Sequence, residues 1–240
     1  MSKILKKCLD VIIYLIGFLI IAIGINLSKL SGLGISPVSS IPGVLSKVFP
    51  SASLGSMVIV VYCLLVLAQF IVLRKNFKPI NILGVPVAII FGLMVDFVGI
   101  AHFKPTLAGI DIGIKAEFDG LMMSIPKPTN YAFQLIYLLL SIVIIGIGVY
   151  IYLSPKLVPM PAEGLAGAIS QVSGKKFGNC KTIVDVCMIA TALILQVLLL
   201  GGLSSFTGGR AVVREGTVLS AILVGQVVKF LNKITSKKKD

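Results

Sequence analysis

The segment Ile20-Ile21-Ala22-Ile23-Gly24 returns 124 positions later as Ile144-Ile145-Gly146-Ile147-Gly148. The same offset aligns residues that seldom coincide by chance in an apolar chain: Pro37 with Pro161, Gly43 with Gly167, Ser46 with Ser170 and Cys63 with Cys187. A third stretch, 88–97, matches 221–230 at an offset of 133, so the second copy has nine extra residues between 201 and 215. The sequence therefore predicts two copies, 1–99 and 131–240, joined by an extracellular connector at 100–130.

Lipid is the expected solvent for much of this chain, because its composition differs from that of a soluble domain. Hydrophobic residues occupy 57% and charged residues 13% of the 240 positions, whereas soluble domains carry about a quarter charged residues. As helices, six apolar runs can cross a hydrocarbon layer of about 30 Å. These runs lie at approximately 11–28, 55–73, 80–99, 131–153, 182–201 and 215–231.

Basic residues lie at the ends of the apolar runs and give the chain a net charge of +13. With six spans, 15 of the 22 lysines and arginines fall on the face that carries both termini. The positive-inside rule then predicts that both termini are cytoplasmic. No basic surface interleaved with aromatic residues is visible, so the expected partner is the lipid bilayer and not nucleic acid. A homodimer is left open.

Two further apolar stretches, 37–48 and 161–173, are too short to cross the membrane, since about 12 helical residues cover only about 18 Å. Each begins with a proline, which suits the first position of a helix, and Ser36 before Pro37 is a suitable N-cap. We expect both to be re-entrant; the alternative is that they lie flat at the interface. Each copy then has three full spans, and the second copy is inverted relative to the first.

The predicted fold is therefore an all-α integral membrane protein with six transmembrane helices and two short re-entrant helices, arranged as two inverted three-helix repeats. A re-entrant helix points unpaired N–H groups and a positive dipole toward the midplane, where an anionic group can bind. The predicted substrate site combines both helix starts with nearby polar residues: Ser36, Pro37, Ser39, Ser40, Tyr62, Pro161, Glu163, Gly164 and Asp185.

Charged residues inside or beside the spans have two explanations each. Asp185 is a functional candidate because an acid in a span is costly, but pairing with Lys181 at i−4 explains it equally well. The candidates for gating or coupling are Asp96, Arg210, Arg214 and Glu215. Anchoring at the membrane edge is the alternative for these four.

Nothing in the sequence predicts an enzyme. The chain has one histidine, His102, and four cysteines without metal-ligand spacing. No phosphate-binding loop or catalytic triad motif is present. We expect no catalytic residue, metal or cofactor.

Two motifs carry a resemblance to a known group. Gly32-Leu33-Gly34-Ile35-Ser36-Pro37-Val38 follows the first span, and Glu215-Gly216-Thr217-Val218-Leu219 enters the last. Both resemble motifs of the YczE/YyaS/YitT group of bacterial membrane proteins, over most of the chain. The resemblance implies a bacterial plasma-membrane protein and small-molecule transport or export. Members of that group often carry an acidic or aromatic pair after the proline turn; the first copy here has Val38-Ser39-Ser40 instead, and the second keeps Glu163.

Three functions are compatible with these patterns. The first is a secondary transporter or exporter of a small anionic or carboxylate-bearing molecule, bound near the midplane between the two broken segments. The second is a substrate-binding membrane subunit of a larger ATP-driven importer. The third is a non-transporting assembly or signalling factor, which predicts tight packing and no central cavity where the broken segments meet.

Overall fold

A computed structural model describes residues 3–99, 102–103, 106–107, 110–111, 118–122, 124–201 and 211–236. The described part of the chain is dominated by eight α-helices: α1 Lys3–Ser31, α2 Pro37–Val48, α3 Leu54–Leu73, α4 Gly84–Val98, α5 Tyr131–Leu153, α6 Pro161–Ser173, α7 Phe177–Leu199 and α8 Glu215–Ser236. Two 3-10 turns, Arg74–Asn76 and Pro79–Leu83, join α3 to α4. In the connector, His102–Phe103 pairs with Phe118–Asp119 and Thr106–Leu107 pairs with Ile110–Asp111, both antiparallel.

Six stretches of these helices are long and apolar enough to cross a membrane: Ile4–Ser31, Leu54–Asn76, Pro79–Val98, Tyr131–Leu153, Phe177–Leu199 and Glu215–Thr235. Large apolar side chains cover their outer surfaces; Leu64, Phe70 and Ile136 are each more than half exposed. Water would penalise such a surface, whereas lipid does not. The predicted class, an all-α multi-pass membrane protein, is confirmed.

Several helices extend beyond the predicted apolar runs. The first begins at Lys3 and not near residue 11, and α7 begins at Phe177 and not near residue 182. Apolar composition marks only the part of a helix inside hydrocarbon, while backbone hydrogen bonding continues into the headgroup region. The third span differs in another way, because its first residues, Pro79–Leu83, form a 3-10 turn before α4.

The short helices begin at the two predicted prolines, Pro37 and Pro161. Ser36 occupies the N-cap position of α2, but its hydroxyl does not accept a capping hydrogen bond as expected. Glycine ends the second short helix: Gly174 takes a left-handed conformation with φ of 68°, which glycine adopts at little cost. The boundaries predicted for both short helices, 37–48 and 161–173, are confirmed.

The central seam of the fold is the antiparallel pair α1 and α5. Their backbones approach closely because glycines lie at the contact. A Cβ built on Gly24 would lie 2.5 Å from Ile145 Cγ1, and one built on Gly148 would lie 2.6 Å from Ile21 Cγ1. Small residues allow this approach between helices in lipid, where dispersion contacts hold helices together.

The remaining helices surround the two short ones. Each short helix packs against both α3 and α7, while α4 packs on α1 and α8 on α5. Between α2 and α6 lies an apolar cluster, which we call the central cluster: Ile41, Leu45, Val61, Leu65, Leu165, Ala166, Ile169, Val184 and Met188. The pairs α3/α4 and α7/α8 occupy corresponding places in the two predicted copies, but they pack differently. Helix α3 packs along α4, whereas α7 makes no comparable contact with α8 among the described residues.

Candidate functional site

The two ends of the helix bundle are built differently. We call the end at which α1 begins and α8 ends the terminal face, and the opposite end the connector face. The last residue of α3, the last residue of α5 and the first residue of α7 all line one cavity. Those three helix ends therefore lie together, at the terminal face. At the connector face α1 ends and α3 begins. The segment with α2 therefore joins two helix ends at the connector face, and the segment with α6 joins two helix ends at the terminal face.

A cavity of about 370 Å³ lies at the terminal face. It is bounded by the end of α3, the start of α4, the 157–159 segment and one side of α6. Among the described residues that line it, Glu163 is the only charged one; the other polar side chains are the amides Gln69, Asn81 and Gln171. We call it the Glu163 cavity. A second cavity, of about 400 Å³, lies between the ends of α5 and α8 and has Lys156 on its wall.

Glu163 belongs to a charge cluster that joins two helices. Lys181 Nζ lies 2.7 Å from Asp185 Oδ1 and 3.5 Å from Glu163 Oε1. The three side chains are largely shielded, with 23%, 17% and 13% exposure for Lys181, Asp185 and Glu163. The i−4 pairing of Lys181 with Asp185 is thus present, and Glu163 joins it from α6. One cation serves two carboxylates, so the cluster carries a net charge of −1.

The hydroxyl of Tyr152 interacts with the carboxylate of Glu163 beside this cluster. Glu163 Oε2 and the Tyr152 hydroxyl are both shielded from solvent, and the Tyr152 side chain is only 1% exposed. The contact therefore joins the end of α5 to the first turn of α6.

Aromatic side chains form the wall behind the charge cluster. The ring of Tyr152 lies 6.0 Å from that of Tyr14 and 5.5 Å from that of Phe18. Tyr14 donates its hydroxyl to the carbonyl of Val158 at 2.5 Å, which ties α1 to the cavity rim. Tyr62, a predicted site residue, is 1% exposed and stacks on Phe91 with 5.8 Å between ring centres.

The start of α6 is held by α3. Gln69 Nε2 donates to the carbonyl of Pro161 at 2.9 Å, and its amide lies against Gly164, where a Cβ would come within 2.7 Å of Gln69 Oε1. Pro161, Glu163 and Gly164 are thus brought together with the cavity. The amide of Gln69 has the helix-joining role expected of a polar residue inside a membrane.

The start of α2 lies elsewhere. Ser36, Ser39 and Ser40 are all buried. Ser40 Oγ donates to the carbonyl of Pro37 at 2.6 Å and lies 3.5 Å from that of Met188, in the middle of α7. Ser39 Oγ has no hydrogen-bond partner among the described residues. The structure does not bring these serines into the Glu163 cavity, because the central cluster lies between α2 and α6.

At the connector face, the 32–36 segment is joined to the 211–217 segment by hydrogen bonds. Leu33 O accepts from Gly216 N at 2.9 Å, and Ile35 N donates to Val212 O at 3.3 Å. Arg214 Nη1 donates to Gly32 O at 3.0 Å, and Arg214 also pairs with Glu215 at 3.2 Å. Of the predicted gating residues, Arg214 and Glu215 therefore lie at a closed contact.

The other two gating candidates differ. Asp96 is 8% exposed and accepts from Gly55 N at 2.7 Å and from the Ser53 hydroxyl. It therefore caps the first turn of α3, a structural contact that the sequence did not indicate. Arg210 lies outside the described residues.

Three site features were missed from the sequence. Lys181 was expected only as a partner for Asp185, because the i−4 spacing predicts that contact. Its second contact, with Glu163, was not predicted. Tyr14 and Tyr152 carried no signal, because an aromatic residue near the end of an apolar helix usually marks the membrane interface. Only the packing of α1 on α5 turns them toward Glu163.

The six apolar helices define the chain as a multi-pass membrane protein, with its charged cluster sheltered inside the bundle. The chain belongs to a family of unknown function, DUF6198, whose model matches residues 8–233. It is similar to the uncharacterised protein YyaS of Bacillus subtilis (strain 168), with 29% identity over 187 residues, 76% of this chain and 79% of the relative. The resemblance to YyaS-type proteins predicted from the two motifs is confirmed. No solved structure matches the chain.

Proposed function

We propose that this protein is a small secondary transporter working by alternating access, with the Glu163 cavity as its open side. One observation carries the proposal: equivalent glycines of the two copies have unlike surroundings. A Cβ on Gly43 of α2 would lie 2.8 Å from Val212 Cγ1, whereas Gly167 of α6 has no atom within 4 Å of its added Cβ and lines the cavity. The two copies thus present one closed and one open version of the same place.

The loops beside the short helices support the same interpretation. At the connector face, the 32–36 segment is bonded to the 211–217 segment. The equivalent segments at the terminal face are 156–160 and 78–84, and the cavity lies between them, lined by Leu157 and Pro159 on one side and Ile80 and Gly84 on the other. Inverted repeats that differ in this way are how secondary transporters open to one side at a time.

We also propose that the repeats are inverted and the short helices re-entrant. The seam supports the inversion, because the contact of Gly24 with Ile145 and that of Gly148 with Ile21 involve the same two repeat positions, exchanged between α1 and α5. The central cluster supports re-entry, because Ile41 and Leu45 of α2 meet their equivalents Leu165 and Ile169 beside the middle of α7. The excess of basic residues at the terminal face supports a cytoplasmic position for that face.

The substrate would then bind beside Glu163 and not between the two helix starts. The central cluster fills the space between α2 and α6 in this conformation. In the transport cycle it forms the barrier between the cavity and the connector face. Rocking of one repeat against the other would move this barrier to the other side of the substrate.

Transport by purified protein in liposomes tests the proposal. Proteoliposomes are incubated with the small-molecule fraction of a bacterial extract, washed, and analysed by mass spectrometry. We expect at least one compound to accumulate with the native protein and not with the Glu163→Gln/Asp185→Asn double variant. Asp10→Asn, which removes one carboxylate at the same face, is the matched control. Equal contents in protein-free and native liposomes would reject transport.

The packed central cluster favours a second candidate, a membrane factor that does not transport. This alternative predicts that the terminal cavity stays open and the connector face stays closed under all conditions. The importer-subunit hypothesis remains a prediction, and co-purification with an ATPase would support it.

A further inference from the structure

We propose that the Glu163 cavity binds a small organic cation, a molecule with an ammonium group on a compact apolar body. The proposal rests on the transport function above and names its substrate class. It replaces the anionic substrate expected from the sequence with one of opposite charge.

The charge balance of the cavity is the first argument. Glu163 is the one charged residue among its described lining residues, and Lys181 is already held by Asp185 at 2.7 Å. An anion would have to compete with both carboxylates for this single ammonium. A cation needs no such exchange, because the cluster carries an unbalanced negative charge.

The helix end gives no vacant anion site either. Glu163 lies in the first turn of α6, where its carboxylate already interacts with the positive end of the helix dipole. The expectation of an anionic ligand assumed that this end was empty. Glu163 already supplies a negative charge in that first turn.

The acceptors in the cavity wall are the second argument. Glu163 is the charged acceptor of the cavity, and the amides of Gln69, Asn81 and Gln171 also line it. An ammonium group has three N–H donors and no acceptor, so it can donate to the carboxylate and to a neighbouring amide oxygen together.

Size and lining define the rest of the ligand. A volume of about 370 Å³ is near the lower end for ligand pockets, which span about 300–1,000 Å³. Leu73, Leu153, Val158 and Phe177 supply apolar wall, and an aromatic ring at the rim favours a cation over an anion. A compact apolar body of one small ring fits these walls.

The test compares two probes of equal shape and opposite charge. Cyclohexylammonium and cyclohexanecarboxylate are each titrated at pH 7 into the native protein in lipid nanodiscs, and binding is measured by calorimetry. We expect the ammonium compound to bind at least about tenfold more tightly. Glu163→Gln should lose that preference, Glu163→Asp should keep it, and Asp10→Asn should match the native protein.

Each result decides the proposal. Equal binding of the two probes, or tighter binding of the carboxylate, overturns it with the native protein alone, so it does not depend on any variant folding. The proposal is also overturned if the ammonium compound does not bind while the melting temperature of the protein changes with pH. The carboxylate would then bind a proton and no organic cation. Ammonium binding without accumulation in liposomes supports the cation site and rejects transport. Accumulation of an anion in liposomes supports transport and rejects the cation site.

Discussion

Gly24 of α1 lies against Ile145 of α5, so closely that a Cβ on the glycine would come within 2.5 Å of the isoleucine Cγ1. The equivalent residues repeat the contact with the helices exchanged, at 2.6 Å between Gly148 and Ile21. Both contacts lie in the seam on which α4 and α8 pack from either side. The seam therefore depends on two glycines that have the same role in the two halves.

Replacing either seam glycine should destabilise the protein to a similar extent. Gly24→Ala and Gly148→Ala each force α1 from α5, and overpacking of this kind costs about 1–3 kcal/mol. Thermal unfolding in detergent measures the loss. Gly225→Ala is the control, since no atom lies within 4 Å of its added Cβ, and it should be neutral or slightly stabilising. A loss at Gly24 without one at Gly148 would contradict the equivalence of the two contacts.

Removing the shared cation should cost more than removing either carboxylate. Lys181→Met leaves Glu163 and Asp185 facing each other without a counter-charge. Breaking a fully buried pair costs about 3–5 kcal/mol, and the partial exposure of this cluster reduces the expected loss to about 2 kcal/mol. The double variant Lys181→Met/Glu163→Gln should recover part of the melting temperature. No recovery would mean that Lys181 stabilises the fold through packing alone.

Gln196 should be needed to hold the segment before α8. Its Oε1 accepts from Val212 N and from Val213 N, both at 2.8 Å. Gln196→Leu leaves two buried N–H groups unpaired, at about 1–3 kcal/mol for each group. Gln226→Leu, on an exposed position of α8, should have little effect on the melting temperature. Equal melting temperatures for the two variants would show that water replaces the amide.

The two short helices should differ in chemical access. In a variant without the four native cysteines, Gly167→Cys should react with a membrane-impermeant maleimide, because it lines the cavity. Ser40→Cys, buried on α2, should react at least about tenfold more slowly, as expected if the conformation that exposes it is populated below a tenth. Labelling is followed by gel shift in inverted and right-side-out vesicles. Fast reaction of both from one face would remove the support for a one-sided opening.

Asp96 should be a structural residue and not a coupling group. Asp96→Ala removes the acceptor for Gly55 N and for the Ser53 hydroxyl, so the first turn of α3 loses this support at about 1 kcal/mol, while the N-cap Ser53 still accepts from Ser56 N. We expect a lower melting temperature with uptake per folded molecule unchanged. Loss of uptake at an unchanged melting temperature would instead support the coupling role predicted from the sequence.

The sequence predicted the parts of the fold that depend on local properties. Proline at the first position fixes where α2 and α6 begin, and run length separates them from the spanning helices. The ion pair of Lys181 with Asp185 was also accessible, because i−4 spacing places the two side chains on one face of a helix. Each of these signals lies within a few residues of the feature that it predicts.

The site itself could be predicted only in part, because its members come from distant segments. Glu163 was identified, but its contact with Lys181 depends on how α6 packs on α7. Tyr152 reaches Glu163 because α5 is set by the seam with α1, which no local pattern encodes. Gly43 and Gly167 are the same residue type, so the residue alone does not predict that Gly167 lines a cavity and Gly43 does not.

The seam between α1 and α5 also bears on how such a chain could arise. Because each side offers the same glycine and the same isoleucine, the proposed inversion makes this surface self-complementary. Under that proposal, one three-helix chain could bind an upside-down copy of itself, and duplication and fusion of its gene would give a chain of this kind. The short helices then differ in charge, because Ser39 stands at the position that corresponds to Glu163.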